Sequence, residues 1–113
     1  MGKVLEMNKT LIGFDEVKVG SIFYSSWGYD QTNIDWYEVV GLTGKGVKVR
    51  LIESNKEYDG SMIGSCMPRV GMYVGDSKTK QLRWMGKEIY FRVNSFSCAW
   101  LWDGNAKRFS EYA

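Results

Sequence analysis

The residues best suited to chemistry are crowded into residues 25–33, between the hydrophobic runs 22–24 and 34–40. A simple connection between two strands needs two to five residues. This one combines aromatic rings with hydroxyl, amide and carboxylate groups, which suits hydrogen bonding to a polar, planar ligand such as a nucleobase, with stacking on a ring. The alternative is an Ω-type loop closed by its own side chains. The candidate contact residues are Ser26, Trp27, Tyr29, Asp30, Gln31 and Asn33.

A second group of polar residues beside indole rings occupies residues 94–97 and 100–104. Trp102 and Asp103 are its candidate contact residues. The other interpretation is a hairpin turn at Asp103-Gly104, with the tryptophans in the core. In a closed sheet both groups would meet in one patch, with Asp30 near Asp103.

Basic residues alternate with aromatic residues in the second half of the chain. Residues 61–113 carry eight basic and four acidic side chains, against seven and nine in residues 1–60. A stripe of cations on a curved sheet is how small barrels bind single-stranded nucleic acid, although Lys and Arg also protect exposed strands from aggregation. Both interpretations stay open. The cations concerned are Lys48, Arg50, Lys80, Arg83, Lys87 and Arg92.

The sequence favours binding over catalysis. There is no histidine, so Ser-His-Asp, Cys-His and the usual zinc schemes are excluded. The glycines of residues 41–46 lack the spacing of a phosphate-binding loop. The alternative is a small metal-dependent enzyme that acts on a nucleotide or another phosphate-containing substrate through Asp30 and Asp103. We expect no cofactor and no metal.

Alternating hydrophobic residues predict the elements that position these groups. Residues 34–52 form one hairpin, and 80–85 with 88–93 form another across Gly86-Lys87. Residues 53–60 read as a polar loop, and Pro68 makes 61–75 an edge strand or an irregular crossing. A short last strand lies near 108–112. The expected fold is all-β, or β-rich α+β, as a strongly curved antiparallel sheet or an SH3-like or OB-like barrel of five to seven strands.

Length and composition bound the setting. A chain of 113 residues forms one domain, residues 1–113. No apolar run is long enough to span a membrane. Cys66 and Cys98 are expected to be buried thiols in a reducing cytoplasm, with a disulfide as the alternative.

Residues 25–33, which read SSWGYDQTN, together with 37–40, 94–97 and 101–104, carry a resemblance to a family. The chain resembles small uncharacterised proteins encoded by bacteriophages and other mobile elements. That family has no assigned reaction. The resemblance implies an accessory protein that acts in a bacterial host cell, where such proteins often bind host or defence machinery, including CRISPR effectors.

We therefore expect a binding module that contacts nucleic acid or a host or defence protein, for example as an anti-defence or anti-CRISPR inhibitor. The predicted contact surface combines the 25–33 loop with the turn after Trp102. A homodimer joined through exposed rings and strand edges is a further hypothesis. No membrane partner is expected.

Overall fold

The computed structural model describes residues 17–28 and 31–111, so the predictions for Tyr29 and Asp30 lie outside the described residues. Nine strands and no helix occur in this part of the chain. The strands are β1 Ile22–Trp27, β2 Asn33–Leu42, β3 Gly46–Gly60, β4 Ile63–Tyr73, β5 Lys78–Gln81, β6 Arg83–Met85, β7 Glu88–Arg92, β8 Cys98–Leu101 and β9 Lys107–Ser110.

The strands form one strongly curled antiparallel sheet, a half-barrel. Its order is β9-β4-β3-β2-β1-β8-β7-β6, and β5 pairs separately with the start of β3. An isolated bridge between Thr32 and Ser110 brings β9 back to the connection between β1 and β2. The all-β, curved antiparallel prediction is confirmed, and both predicted hairpins are present.

The sheet buries residues on both faces. One core contains Phe23, Val39 and Phe91, and the other contains Trp36 and Phe109. Neighbouring residues of a strand point to opposite faces, so β1 and β2 each supply side chains to both cores. This explains why hydrophobic residues in 34–40 are nearly continuous.

Three segments differ from the sequence prediction. The described residues form nine strands where five to seven were predicted, and of these segments only residues 78–85 add a strand. Residues 53–60 are not a loop: they continue β3, paired with β4. Most of these residues are exposed, so polar side chains occur on both faces of the ribbon. The alternation of hydrophobic and polar residues that predicts a strand is therefore missing. Residues 25–27 belong to β1 rather than to the following loop. Residues 78–85 form two strands, because β5 pairs with β3 before the chain passes Leu82 and β6 pairs with β7.

The irregular strand predicted around Pro68 is β4. Its first part pairs with both β3 and β9, but the part that contains Pro68 pairs only with β3. The register then shifts, and Gly71 adopts a φ of 84°. The buried Glu38 carboxylate holds this bulge by accepting the Gly71 N–H at 2.8 Å and the Tyr73 hydroxyl at 3.3 Å.

Within residues 17–28 and 31–111, no helix has the length and apolar character needed to cross a membrane. Both cysteines are free thiols: Cys66 is buried and Cys98 is half-buried.

Candidate functional site

A cleft of about 660 Å³ opens where β1 and β8 separate. The two strands pair only at Phe23↔Leu101 and Tyr24↔Trp100. In an antiparallel ladder, alternate residues direct their N–H and C=O groups to the same neighbouring strand. Because the ladder ends at Tyr24, the backbone groups of Ser26 and Cys98 that point across the gap have no strand partner.

Residues from both faces of the sheet line this cleft, because it passes between two strands rather than lying on one surface. Three sources contribute: the end of β1 with its following glycine, one residue of β2, and the turn and first residues of β8. The lining residues are Ser25, Ser26, Trp27, Gly28, Asp35, Val93, Asn94, Phe96, Ser97, Cys98 and Trp100.

The Ser25 hydroxyl is buried in the wall of the cleft without a hydrogen-bond partner among the described residues. Ser25 is only 1% exposed. It lies directly opposite Asp35 in the β1–β2 ladder, so the two side chains share a face. An unsatisfied buried hydroxyl costs about 1–3 kcal/mol. Such a group in a cleft wall marks a position where an incoming ligand can supply the missing bond.

Asp35 is the acidic group of the cleft. The Trp27 indole Nε1–H donates to its Oδ2 at 2.9 Å. Burial raises the pKa of the Asp35 carboxyl, and the Trp27 hydrogen bond partly opposes this rise. Burial, with the Asp35 charge, also raises the pKa of the neighbouring Tyr37 to about 12. Within the described part of the chain, no Lys or Arg pairs with Asp35.

The turn of residues 93–97 forms the opposite wall and is held by Asn94. Its Oδ1 accepts the Phe96 N–H at 2.8 Å and the Ser97 N–H at 3.0 Å. The Val93 N–H also donates to the Ser97 carbonyl at 2.9 Å. This turn is held by its own hydrogen bonds and leaves Phe96 94% exposed. The Phe96 ring therefore contributes little to the packing of the described residues.

Gly28 fixes the end of β1 beside the cleft. Its φ is 132°, and a Cβ at this position would lie 2.1 Å from the Gln31 carbonyl oxygen. Only glycine fits such an approach. Gly28 therefore sets where Trp27, 48% exposed, stands at the rim.

The structure brings Ser26 and Trp27 of the predicted contact residues to the cleft. Gln31 and Asn33 lie at the neighbouring turn, where the Gln31 Nε2–H donates to Asn33 Oδ1 at 3.4 Å. The first predicted group therefore shares the cleft with Asn94, Phe96 and Ser97 of the second group, but not with the turn after Trp102 that the predicted contact surface included.

Trp102 and Asp103 lie elsewhere, in a turn bonded within itself. The Trp102 ring packs edge-on against Trp36, with centroids 5.3 Å apart, and its Nε1–H donates to the Asn105 carbonyl at 2.7 Å. Asp103 accepts the Asn105 N–H at 2.9 Å and pairs with Lys107 at 3.3 Å. The backbone bond and the Lys107 charge lower the pKa of Asp103. This geometry matches the alternative of a structural turn.

The predicted cationic stripe is partly engaged within the protein. Arg50 Nε–H donates to the Gly75 carbonyl at 2.7 Å, and its guanidinium lies 4.3 Å from the Tyr73 ring centroid. Arg92 donates to the Ser95 carbonyl at 3.4 Å, and Lys80 to the Val93 carbonyl at 3.2 Å. The other predicted cations are exposed: Lys48 lies on β3, Arg83 on β6 and Lys87 in the turn between β6 and β7.

No cluster of three metal-binding side chains occurs in residues 17–28 and 31–111. Comparison with known proteins finds no matching family model, no matching curated protein and no matching solved structure.

The contact residues predicted from the sequence did not include Ser25, Asp35 or Phe96. Ser25 carries no signal in the sequence, because a buried serine without a partner cannot be told from any other strand serine. Phe96 does carry one. That signal is misleading, because Phe96, Cys98 and Trp100 alternate at a spacing of two and so predict a strand, whereas Asn94 holds Phe96 in the turn before β8.

Proposed function

We propose that this protein is a binding module whose cleft between β1 and β8 holds a segment of another protein. The observation that carries the proposal is the Ser25 hydroxyl. It is buried, without a hydrogen-bond partner in residues 17–28 and 31–111, in the wall of an open cleft whose rim presents Trp27 and Phe96. A closed structural site would satisfy that hydroxyl internally.

The cleft favours a protein partner over nucleic acid. Asp35 is the charged residue in its described lining, and a carboxylate there repels phosphate groups. Three of the predicted phosphate-binding cations, Arg50, Lys80 and Arg92, hydrogen-bond to the protein itself. The backbone groups of Ser26 and Cys98 lie beyond the last β1–β8 pair, which suits an extended peptide that bonds to a strand edge.

The resemblance to small phage and mobile-element proteins supports a bacterial host or defence protein as the partner. On this proposal the protein inhibits by occupying a surface of its target. The proposal does not use Trp102 or Asp103, because their polar groups serve their own turn.

Capture from a bacterial lysate treated with nuclease tests this function. The photo-crosslinking residue p-benzoylphenylalanine replaces Phe96 at the cleft rim, and in a control protein it replaces Leu42, which is 56% exposed and does not line the cleft. We expect a discrete protein adduct from position 96 and none of the same mass from position 42.

Two tryptophan variants make the test specific. Trp27→Ala removes a 48% exposed ring from the cleft, and Trp84→Ala removes a 40% exposed ring from β6, outside its lining. We expect Trp27→Ala to abolish capture and Trp84→Ala to preserve it. Equal capture by both variants, or capture that disappears with nuclease treatment, would contradict a protein-binding cleft.

A further inference from the structure

We infer that the cleft recognises a guanidinium group, so that the bound segment of the partner protein stacks an arginine side chain on the Trp27 ring and pairs it with Asp35. This inference rests on the proposed function and names the ligand chemistry of the same site. Three features of the cleft carry it: its charge, its rings and its unused hydrogen-bond acceptors.

The charge of the cleft is negative and uncompensated. Asp35 receives one hydrogen bond, from Trp27 to Oδ2, and forms no ion pair within the described residues. Its Oδ1 therefore remains available. Burial has already removed part of its hydration, as the raised pKa of the carboxyl shows. A cation at Oδ1 would relieve this unfavourable state, whereas an anion would increase it.

The rings at the rim favour a planar cation. The Trp27 indole lies beside the Asp35 carboxylate, because its N–H donates to that carboxylate. About half of Trp27 remains exposed, which leaves room for a ligand against the ring. Guanidinium groups stack on indole faces and bond to carboxylates in the same plane. Phe96, on the turn held by Asn94, can cover the aliphatic part of an arginine side chain.

The available acceptors match the donors of arginine. A guanidinium has five N–H donors in a fixed plane and no acceptor. The cleft offers Asp35 Oδ1, the Ser25 Oγ on the same face, which has no hydrogen-bond partner among the described residues, and the Ser26 carbonyl beyond the last β1–β8 pair. A lysine ammonium could reach one of these groups but cannot span them with one flat face.

Nuclear magnetic resonance titration with the peptide acetyl-Gly-Arg-Gly-amide tests the inference on the whole protein. The Trp27 indole N–H reports directly, because it donates to Asp35. We expect its signal to shift with the arginine peptide at millimolar concentrations, and the dissociation constant to rise at least tenfold when neutral citrulline replaces arginine. Binding should strengthen as pH rises through the pKa of Asp35, since only the ionised carboxyl attracts the cation.

Asp35→Asn and Glu57→Gln each remove one negative charge, so their comparison controls for the change in net charge. Asp35→Asn keeps the shape of the side chain and an oxygen that can accept from Trp27. Glu57→Gln removes one negative charge from an exposed position on β3, outside the cleft lining. We expect Asp35→Asn to weaken arginine-peptide binding at least tenfold and Glu57→Gln to change it less than twofold. Equal losses in both variants would show a general charge effect and overturn the inference.

The outcomes separate this inference from the function on which it rests. Guanosine monophosphate is the nucleic-acid probe, because guanine also presents neighbouring N–H donors to a carboxylate. A shift of the Trp27 signal with this probe, and none with the arginine peptide, overturns the guanidinium assignment and also argues against a protein partner. If neither probe binds while Trp27-dependent capture persists, the guanidinium assignment is wrong and the protein-binding function stands.

Discussion

Removing the Ser25 hydroxyl should make the free protein more stable. Ser25 is 1% exposed, and its hydroxyl has no hydrogen-bond partner among the described residues. On folding, the hydroxyl therefore loses its hydrogen bonds to water and gains none in their place. That loss costs about 1–3 kcal/mol. The Ser25→Ala variant avoids it and gives up only the packing of one oxygen atom, a fraction of a kcal/mol. We therefore expect a net stabilisation of about 1 kcal/mol.

Thermal unfolding can resolve a change of this size. A chain of 113 residues unfolds with an entropy of about 0.24 kcal/mol/K, taking about 2.1 cal/mol/K per residue, so 1 kcal/mol raises the midpoint by about 4 °C. The matched control is Ser26→Ala. Ser26 is exposed on the same strand, and its replacement should change stability by no more than about 0.5 kcal/mol.

The same Ser25→Ala variant should bind its partner less tightly, because the bound ligand loses an acceptor. Opposite changes in stability and affinity are the signature of a polar group kept for binding. A destabilisation of about 1 kcal/mol or more would refute this reasoning, because it would show that the free protein already satisfies the Ser25 hydroxyl.

Three further predictions concern the half-buried Asp35 and Tyr37 and the buried Glu38, each measured by denaturant unfolding. The raised pKa of Asp35 means that the folded state holds its proton more tightly, so the wild type should lose stability as pH rises from 3.8 through the folded pKa, and Asp35→Asn should lack this loss. The raised pKa of Tyr37 has the same consequence, so the free energy of unfolding should fall as pH rises from 10 towards about 12. Tyr37→Phe should abolish this fall and should have nearly wild-type stability at neutral pH. Glu38→Ala should lose about 2–3 kcal/mol because the Gly71 N–H and Tyr73 hydroxyl lose their acceptor, and Glu38→Gln, which retains one acceptor, should lose less than half as much. Equal losses in the two Glu38 variants would contradict the assigned bulge-holding role.

The sequence predicted those parts of the fold in which alternation is complete. The 34–52 hairpin was predictable because Val47, Val49 and Leu51 alternate with Lys48 and Arg50. Residues 53–60 were mistaken for a loop because most of them are exposed and show no hydrophobic pattern. Backbone pairing with β4 and the packing of Tyr58 on Phe109 hold this ribbon. Pairing between strands distant in the chain is not encoded in local composition.

The site was predictable only in outline. The polar-aromatic residues around Trp27 were found because rings and amides are unusual in a short connection. The cleft itself depends on where the β1–β8 ladder ends, after Tyr24↔Trp100, and no local pattern fixes that point. The roles of Trp102 and Asp103 were equally ambiguous, because the same residues suit a ligand contact and a self-bonded turn.

Amide hydrogen exchange at the end of the β1–β8 ladder tests the central claim most directly. In the free protein, the amides of Ser26 and Cys98 should exchange quickly, while that of Tyr24, inside the ladder, is protected. In complex with the captured partner, Ser26 and Cys98 should slow at least tenfold. Unchanged exchange at both positions, in a complex verified to be intact, would contradict a cleft that takes a protein segment between these strands.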